Sequence, residues 1–198
     1  HITTGEGGAV LTNDKNLYNK MRVFASHGID KNKDLHKKKK QRWYYEQREL
    51  GYNYRITDIN CSLGLSQLKK LEFFISRRRE IVDRYNKAFK KVKHLQIPFE
   101  AKDCNSNFHL YVLLFDFEQI GIDRNELMAK LYEMGIQTQV HYIPVHTQPY
   151  YQKHFNTAWG DFPKAENYYK KCLSLPLCPA LTDIEVSKVI TVVKTIIQ

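Results

Sequence analysis

Apolar positions change their period several times along the chain, and each change marks an element. The chain opens HITTGEGGAVLTND, a tight polar turn at TTGEGG followed by Gly8-Ala9-Val10-Leu11-Thr12, which reads as a buried strand ending at Asn13-Asp14. Leu17, Met21 and Phe24 then recur at helical spacing and predict a short amphipathic helix over residues 15–26, ended at His27-Gly28, where glycine suits a left-handed cap. Residues 29–50 show no clear period. They are basic, carry Trp43-Tyr44-Tyr45, and have the length of a loop that is more often functional than idle. Thr57 or Asp58 can cap a helix that buries Ile59, Leu63, Leu68 and Leu71. Phe74, Ile75, Ile81, Val82, Tyr85 and Phe89 carry the helical period on to about Val92, as one long helix or two joined ones.

Pro98 marks a change of pattern. An apolar run predicts a strand over residues 108–117. Asp123, with Glu126 three residues on, has the form of a capping box and starts a helix over residues 123–134 that Gly135 closes. Residues 137–142 read as a strand, 162–171 as a helix, 173–177 as an extended piece, and 183–197 as a last helix turning Val186, Val189, Ile190 and Val193 inward. Strands alternating with helices predict an α/β or α+β domain after residue 93, so the expected division is 1–93 and 94–198.

Composition narrows the class. The 198 residues are 42% hydrophobic and 26% charged, the balance of a globular chain. No apolar run approaches the roughly 20 residues of a membrane span, and the expected setting is cytoplasmic. Cys61, Cys104, Cys172 and Cys178 form no CxxC pair, which argues for reduced thiols and against a structural zinc. The net charge of +10 gathers in residues 31–48, around Lys37-Lys38-Lys39-Lys40, and in residues 69–93, around Arg77-Arg78-Arg79. Such blocks attract polyanions, but no nucleic-acid motif accompanies them, and a solvated loop with a charged helix face is the better reading.

Three stretches go beyond composition: ITTGEGGAVLTND, GYNYRITDINCSLGLSQL (residues 51–68) and QVHYIPVHTQPYY (residues 139–151). In this order they resemble the sugar aminotransferases of the DegT/DnrJ/EryC1/StrS family over essentially the whole chain. The resemblance implies an α/β architecture, the pyridoxal-phosphate-dependent transferase fold type I. Residues 1–93 would complete its large, cofactor-binding domain, and 94–198 would form the small C-terminal α+β domain.

It also implies pyridoxal 5'-phosphate as cofactor, a UDP-linked sugar as substrate, an amino donor such as glutamate, and a homodimer with shared active sites. Relatives carry a lysine, one variable residue and then an Ile-Thr-Thr-like triplet. With His1 in the variable place, the Schiff-base lysine is expected immediately before His1. No catalytic residue is then expected within the chain, which by itself should not catalyse transamination.

Site residues follow from the same resemblance. Asn53 matches an asparagine that reaches the partner subunit's cofactor phosphate, and Arg55 beside it adds charge. His141 matches a histidine lining the sugar-nucleotide site, with Tyr142 next to it and His146 a weaker candidate in the following loop. Trp43 and Tyr44, with Tyr45, suit stacking on a base or closing over a sugar, or else packing on a dimer partner. Glu6 reads as a turn residue, and His109 and Tyr111 as packing residues of an apolar strand. Cys61, Ser62 and Thr147 depart from common family choices without touching the chemistry. Two other readings stay open: an inert family member that binds sugar nucleotides, and a basic nucleic-acid-binding domain.

Overall fold

The computed structural model describes residues 1–30, 41 and 43–197. The chain divides into two compact units, residues 2–70, and residue 1 with residues 71–198.

In the first unit, helix α1 (Lys15–Phe24) starts where the Asp14 carboxylate accepts the amides of Asn16 at 2.7 Å and Leu17 at 3.2 Å. Past its end the chain turns through His27 and Gly28, both at positive φ, into strand β1 (Ile29–Asp30). Strand β2 (Glu46–Gln47) pairs with it antiparallel, Ile29 opposite Gln47 and Asp30 opposite Glu46. The stretch expected to be a structureless loop therefore contains a two-stranded arm, while the Lys37-Lys38-Lys39-Lys40 run lies outside the described residues. At the base of the arm two backbones touch: a Cβ on Gly28 would lie 1.7 Å from the Glu49 carbonyl oxygen, and one on Gly51 would lie 2.0 Å from the Gly28 nitrogen.

Helix α2 (Asp58–Leu68) is capped by Thr57, whose hydroxyl accepts the Asn60 amide at 3.3 Å. The Asn60 side chain holds the opening turn by donating to the Glu6 carbonyl at 2.9 Å, which bears out Glu6 as a turn residue. Two expectations fail in this unit. Residues 8–12 are extended but unpaired among the described residues, with Val10 72% and Leu11 94% exposed. Helix α2 leaves Ile59 82%, Leu63 40% and Leu68 54% exposed instead of burying them. An apolar stripe only creates a demand for a second layer. Residues 2–70 supply none, and Gly28 is the sole buried residue described among them.

The second unit has a core. Helix α3 (Leu71–Phe89) contributes Ile81, Val82, Tyr85 and Phe89, all at most 1% exposed, to this core. Three strands, β3 (Leu95–Gln96), β4 (Tyr111–Phe115) and β5 (Cys172–Leu175), form an antiparallel sheet in the order β3-β4-β5, with Tyr111 opposite Leu175 and Leu113 opposite Leu173. A short helix α4 (Phe117–Ile120) ends strand β4 sooner than residue 117. Helix α5 (Arg124–Glu133) brings Leu127 and Leu131 to the core, capped by Asp123 as expected.

Residues 137–142 do not form the expected strand: one bridge, Gln139 with Ser174, replaces it. A single 3-10 turn (Val145–Thr147) and helix α6 (Pro149–Phe155) follow. Helix α7 (Pro163–Lys171) leads directly into β5, and helix α8 (Asp183–Ile197) closes the core with Val186, Val189 and Val193. Tyr111 is buried as expected of a packing residue, whereas His109 stays exposed and meets the His1 ring at 6.0 Å.

The arginine triplet is structural. Arg77 donates to Asp183 at 2.8 Å and to the Leu181 carbonyl at 2.7 Å. Arg78 donates to the carbonyls of Phe108, His109 and Leu177, and its burial pulls the guanidinium pKa below the usual value. Arg79 meets Glu100 and the Ser106 carbonyl. The expected solvated helix face is in fact a set of guanidiniums that satisfy backbone carbonyls of loops packed against α3.

Candidate functional site

The candidate residues fall in both units, and each group has its own geometry. In the first unit Asn53 lies opposite Ser26 in an isolated bridge, held there by backbone bonds on either side: Tyr52 to Phe24 at 2.7 Å and Tyr54 to Ala25 at 2.9 Å. The end of α1 therefore positions Asn53. Arg55 Nε donates to Asn53 Oδ1 at 2.8 Å. This bond fills one of the two acceptor sites of the Asn53 oxygen, while the Asn53 amide N–H groups and the two terminal nitrogens of Arg55 are further donors. Tyr52 and Tyr54 stack beside them, ring centroids 4.8 Å apart. In the arm, Trp43 is 71% exposed and packs on Tyr44 at 6.2 Å, and the Tyr44 hydroxyl donates to Glu46 at 2.8 Å. That bond anchors Tyr44 to β2, while Trp43 and Tyr45 stay exposed.

In the second unit the segment after the Gln139 bridge carries His141 and Tyr142. His141 Nδ1 lies 2.8 Å from Ser174 Oγ on β5, and the Tyr142 ring meets the His141 ring edge-on at 4.6 Å. Tyr142 is 70% exposed. Both border a cavity of about 500 Å3 with Gln139, Ile143, Gln148 and Tyr151. Val140 also lines this wall, so successive residues 139–143 border the cavity without strand alternation.

His146 borders a second, apolar cavity of about 550 Å3 with Phe155 and Phe162. The two cavities share Val145 and Tyr151. His146 is buried, and its Nε2 lies 2.8 Å from Glu166 Oε1. It is not an exposed contact residue like Tyr142. Its backbone carbonyl accepts the Thr157 hydroxyl at 2.7 Å, which ties this loop to the chain after α6.

Two functional residues escape sequence reasoning. Ser174 sits within the apolar string Cys172-Leu173-Ser174-Leu175 and looks like a strand filler. Glu166 stands among Lys and Tyr in PKAENYYKK and looks like a solvent-facing helix acid. Its one signal is helical spacing, four residues after Phe162 and three before Tyr169. Burial works to raise the Glu166 carboxyl, but bonds from the Gly160 amide, His146 and the Phe162 amide outweigh it, and its pKa lies below the ordinary carboxylate value. Among the described residues no His, Cys, Asp or Glu side chains gather in a metal-holding group, and no helix is long and apolar enough to cross a membrane.

Comparison with known proteins gives these residues a context. The spore coat polysaccharide biosynthesis protein SpsC of Bacillus subtilis is 43% identical over 199 residues, covering 100% of this chain and 51% of its own. A UDP-4-amino-4,6-dideoxy-N-acetyl-beta-L-altrosamine transaminase of Campylobacter jejuni is 40% identical over 176 residues, 88% of this chain and 44% of its own. The solved structure of Helicobacter pylori PseC, an aminotransferase involved in the biosynthesis of pseudoaminic acid, superposes with a TM-score of 0.86 at 34% identity over 99% of this chain and 50% of that one. The chain thus spans about half the length of the curated relatives it matches, and its mixed helix-and-sheet fold is that of solved sugar aminotransferases. Since the family model itself matches residues 1–194, the chain belongs to the DegT/DnrJ/EryC1/StrS aminotransferase family.

Proposed function

We propose that this chain is part of a pyridoxal-phosphate-dependent aminotransferase of nucleotide-sugar biosynthesis. The reaction moves an amino group from a donor such as glutamate to the C4 ketone of a UDP-linked 4-keto-6-deoxy amino sugar, the chemistry of pseudaminic acid formation. The working form is a cytoplasmic homodimer, and the Schiff-base lysine stands immediately before His1. The name of the Campylobacter jejuni relative supports the substrate class.

Pyridoxal phosphate supplies an electron sink when bound. The residues present fit its phosphate. Arg55 bonds the Asn53 oxygen, and the pair brings together the Asn53 amide N–H groups and a guanidinium, a donor set that matches a phosphate oxygen. This donor set is the observation that carries the reading. His141, oriented by Ser174, and Tyr142 border a cavity that suits a sugar, with imidazole and phenol as hydrogen-bond partners for its hydroxyls. Trp43 offers a face for a base. The nucleic-acid reading loses its arginine block, because Arg77, Arg78 and Arg79 are committed to protein oxygens.

The test is the intact mass of the protein as its gene encodes it, before and after borohydride reduction with pyridoxal phosphate. One phosphopyridoxyl group, on the lysine before His1, is the expected result. Absence of any single labelled lysine would instead favour an inert sugar-nucleotide-binding member. In the same protein, Asn53→Ala should weaken cofactor affinity about tenfold or more, since a hydrogen bond to a charged group contributes about 1.5–3 kcal/mol. An unchanged dissociation constant, read from cofactor absorbance on titration, would remove Asn53 from the site.

A further inference from the structure

Glu166 lies in the first turn of α7 and is 5% exposed. A carboxylate withdrawn this far from water needs donors around it. One oxygen, Oε1, accepts three: the Gly160 amide at 2.7 Å, the Phe162 amide at 3.3 Å, and His146 Nε2 at 2.8 Å. The carboxylate can only accept, so Nε2 carries a proton and donates it in this bond. The Phe162 ring lies 4.7 Å from the imidazole and holds it from the side. An apolar pair would join α7 to the turn at 145–147 with less desolvation cost. What it would not supply is direction: a bond at 2.8 Å to a fixed oxygen sets the rotation of the ring and the path of the backbone that bears it.

That backbone matters because it is pinned at both ends and presents three exposed side chains between them. At one end Gln139 pairs with Ser174 through both backbone bonds, at 3.3 and 2.8 Å, and His141 meets the Ser174 hydroxyl. At the other, His146 is held by Glu166 while the Thr147 hydroxyl closes the turn on the Pro144 carbonyl at 2.8 Å. Of the residues between, Tyr142, Ile143 and Val145 expose their side chains, while Pro144 is buried. Ser174 and Glu166 belong to consecutive elements, β5 and α7, so one rigid piece of chain holds both ends.

We propose that Glu166 is a positioning residue: by holding the Nε2–H of His146 it fixes the 141–148 segment and sets how His141 and Tyr142 meet a nucleotide sugar. This rests on the aminotransferase reading for the identity of the substrate. It does not rest on that reading for the pairing itself.

The experiment uses the protein as its gene encodes it, with 15N-labelled histidine and the His146→Gln variant to assign the signal. In the unmodified protein His146 Nε2 should be protonated. A bare Nε2 overturns the proposal at once, whether or not any variant folds. Glu166→Gln should shift the imidazole away from the Nε2–H form and raise KM for the nucleotide sugar about tenfold, with kcat and cofactor loading moving less than KM. Glu166→Leu, which keeps the packing and removes the acceptor, should raise KM further, and Gln should restore part of the loss. A folded Leu variant with the original KM overturns the proposal, as does a changed tautomer with an unchanged KM. If the unmodified protein transfers no amino group, the aminotransferase reading fails by itself. The dissociation constant for UDP-N-acetylglucosamine then replaces KM in the same comparison, with the same tenfold expectation.

Discussion

Asp183 shows what a single side chain does for the second unit. Its Oδ1 accepts Arg77 at 2.8 Å and Arg84 at 2.6 Å, joining the start of α8 to α3. The bond from Arg77 pulls its carboxyl pKa below the ordinary value, burial opposes this, and Arg84 adds to the lowering. Glu185 is lowered in the same direction by the Thr182 amide and hydroxyl, and Glu166 by its three donors. All three are depressed in the folded state. Their contribution is therefore present above the unfolded carboxylate range, about pH 4, and is lost as pH falls through the lower folded values. Urea unfolding followed from pH 7 to pH 3 should show midpoints that hold down to about pH 5 and fall below it. Asp183→Asn should lower the midpoint at pH 7 and change it less at pH 3. With 73% of the Asp183 side chain exposed, the difference should shrink in 1 M salt. Equal losses at both pH values would sink this account. Legibility at this scale depended on neighbours. Asn53 and His141 stand in stretches whose order is informative, whereas Glu166 and Ser174 acquire meaning only when α7 and β5 bring them beside two histidines.

Helix ends teach a second lesson. Asp123 and Glu126 have the spacing of a capping box, and the Asp123 carboxylate does accept the Glu126 amide at 2.8 Å. The Glu126 carboxylate, however, pairs forward with Lys130 at 2.7 Å. The reciprocal box occurs at α8, where Thr182 and Glu185 bond each other's amides at 2.8 and 3.2 Å. Thr182→Ala should therefore cost about 1 kcal/mol of unfolding free energy, the worth of a good cap, measurable by denaturant titration. No loss would mean that the α8 terminus is held by Asp183 alone. Helices were legible here because a 3.6-residue period survives in any surroundings. The strand at 137–142 was not, because alternation says which face a residue prefers and says nothing about whether a neighbouring edge is long enough to pair with.

At the scale of the whole molecule the two units differ in kind. Residues 71–197 close a core around Tyr85, Tyr111 and Phe115, whereas residues 2–70 have no buried side chain among those described. Hydrophobic burial is the main favourable term in folding, and a segment without it cannot offset its chain entropy. A fragment of residues 2–70 should show no cooperative thermal transition, and should self-associate through Leu11, Leu50, Ile59 and Leu65. A monodisperse fragment with a sharp transition in circular dichroism would refute this. Periodicity foresaw the apolar stripes on both units but could not tell a stripe that finds its partner within its own unit from one that does not.

The committed arginines bear on how the molecule presents itself to other chemistry. Guanidiniums at 77, 78, 79 and 84 are spent on carbonyls and carboxylates inside the scaffold. The charge that solvent meets is therefore carried largely by lysines, whose pairs with Glu126 and Asp116 are exposed. Stepwise acylation of amines would run the protein down a charge ladder, one rung per ammonium, while the struts that brace its architecture stay out of reach of the reagent.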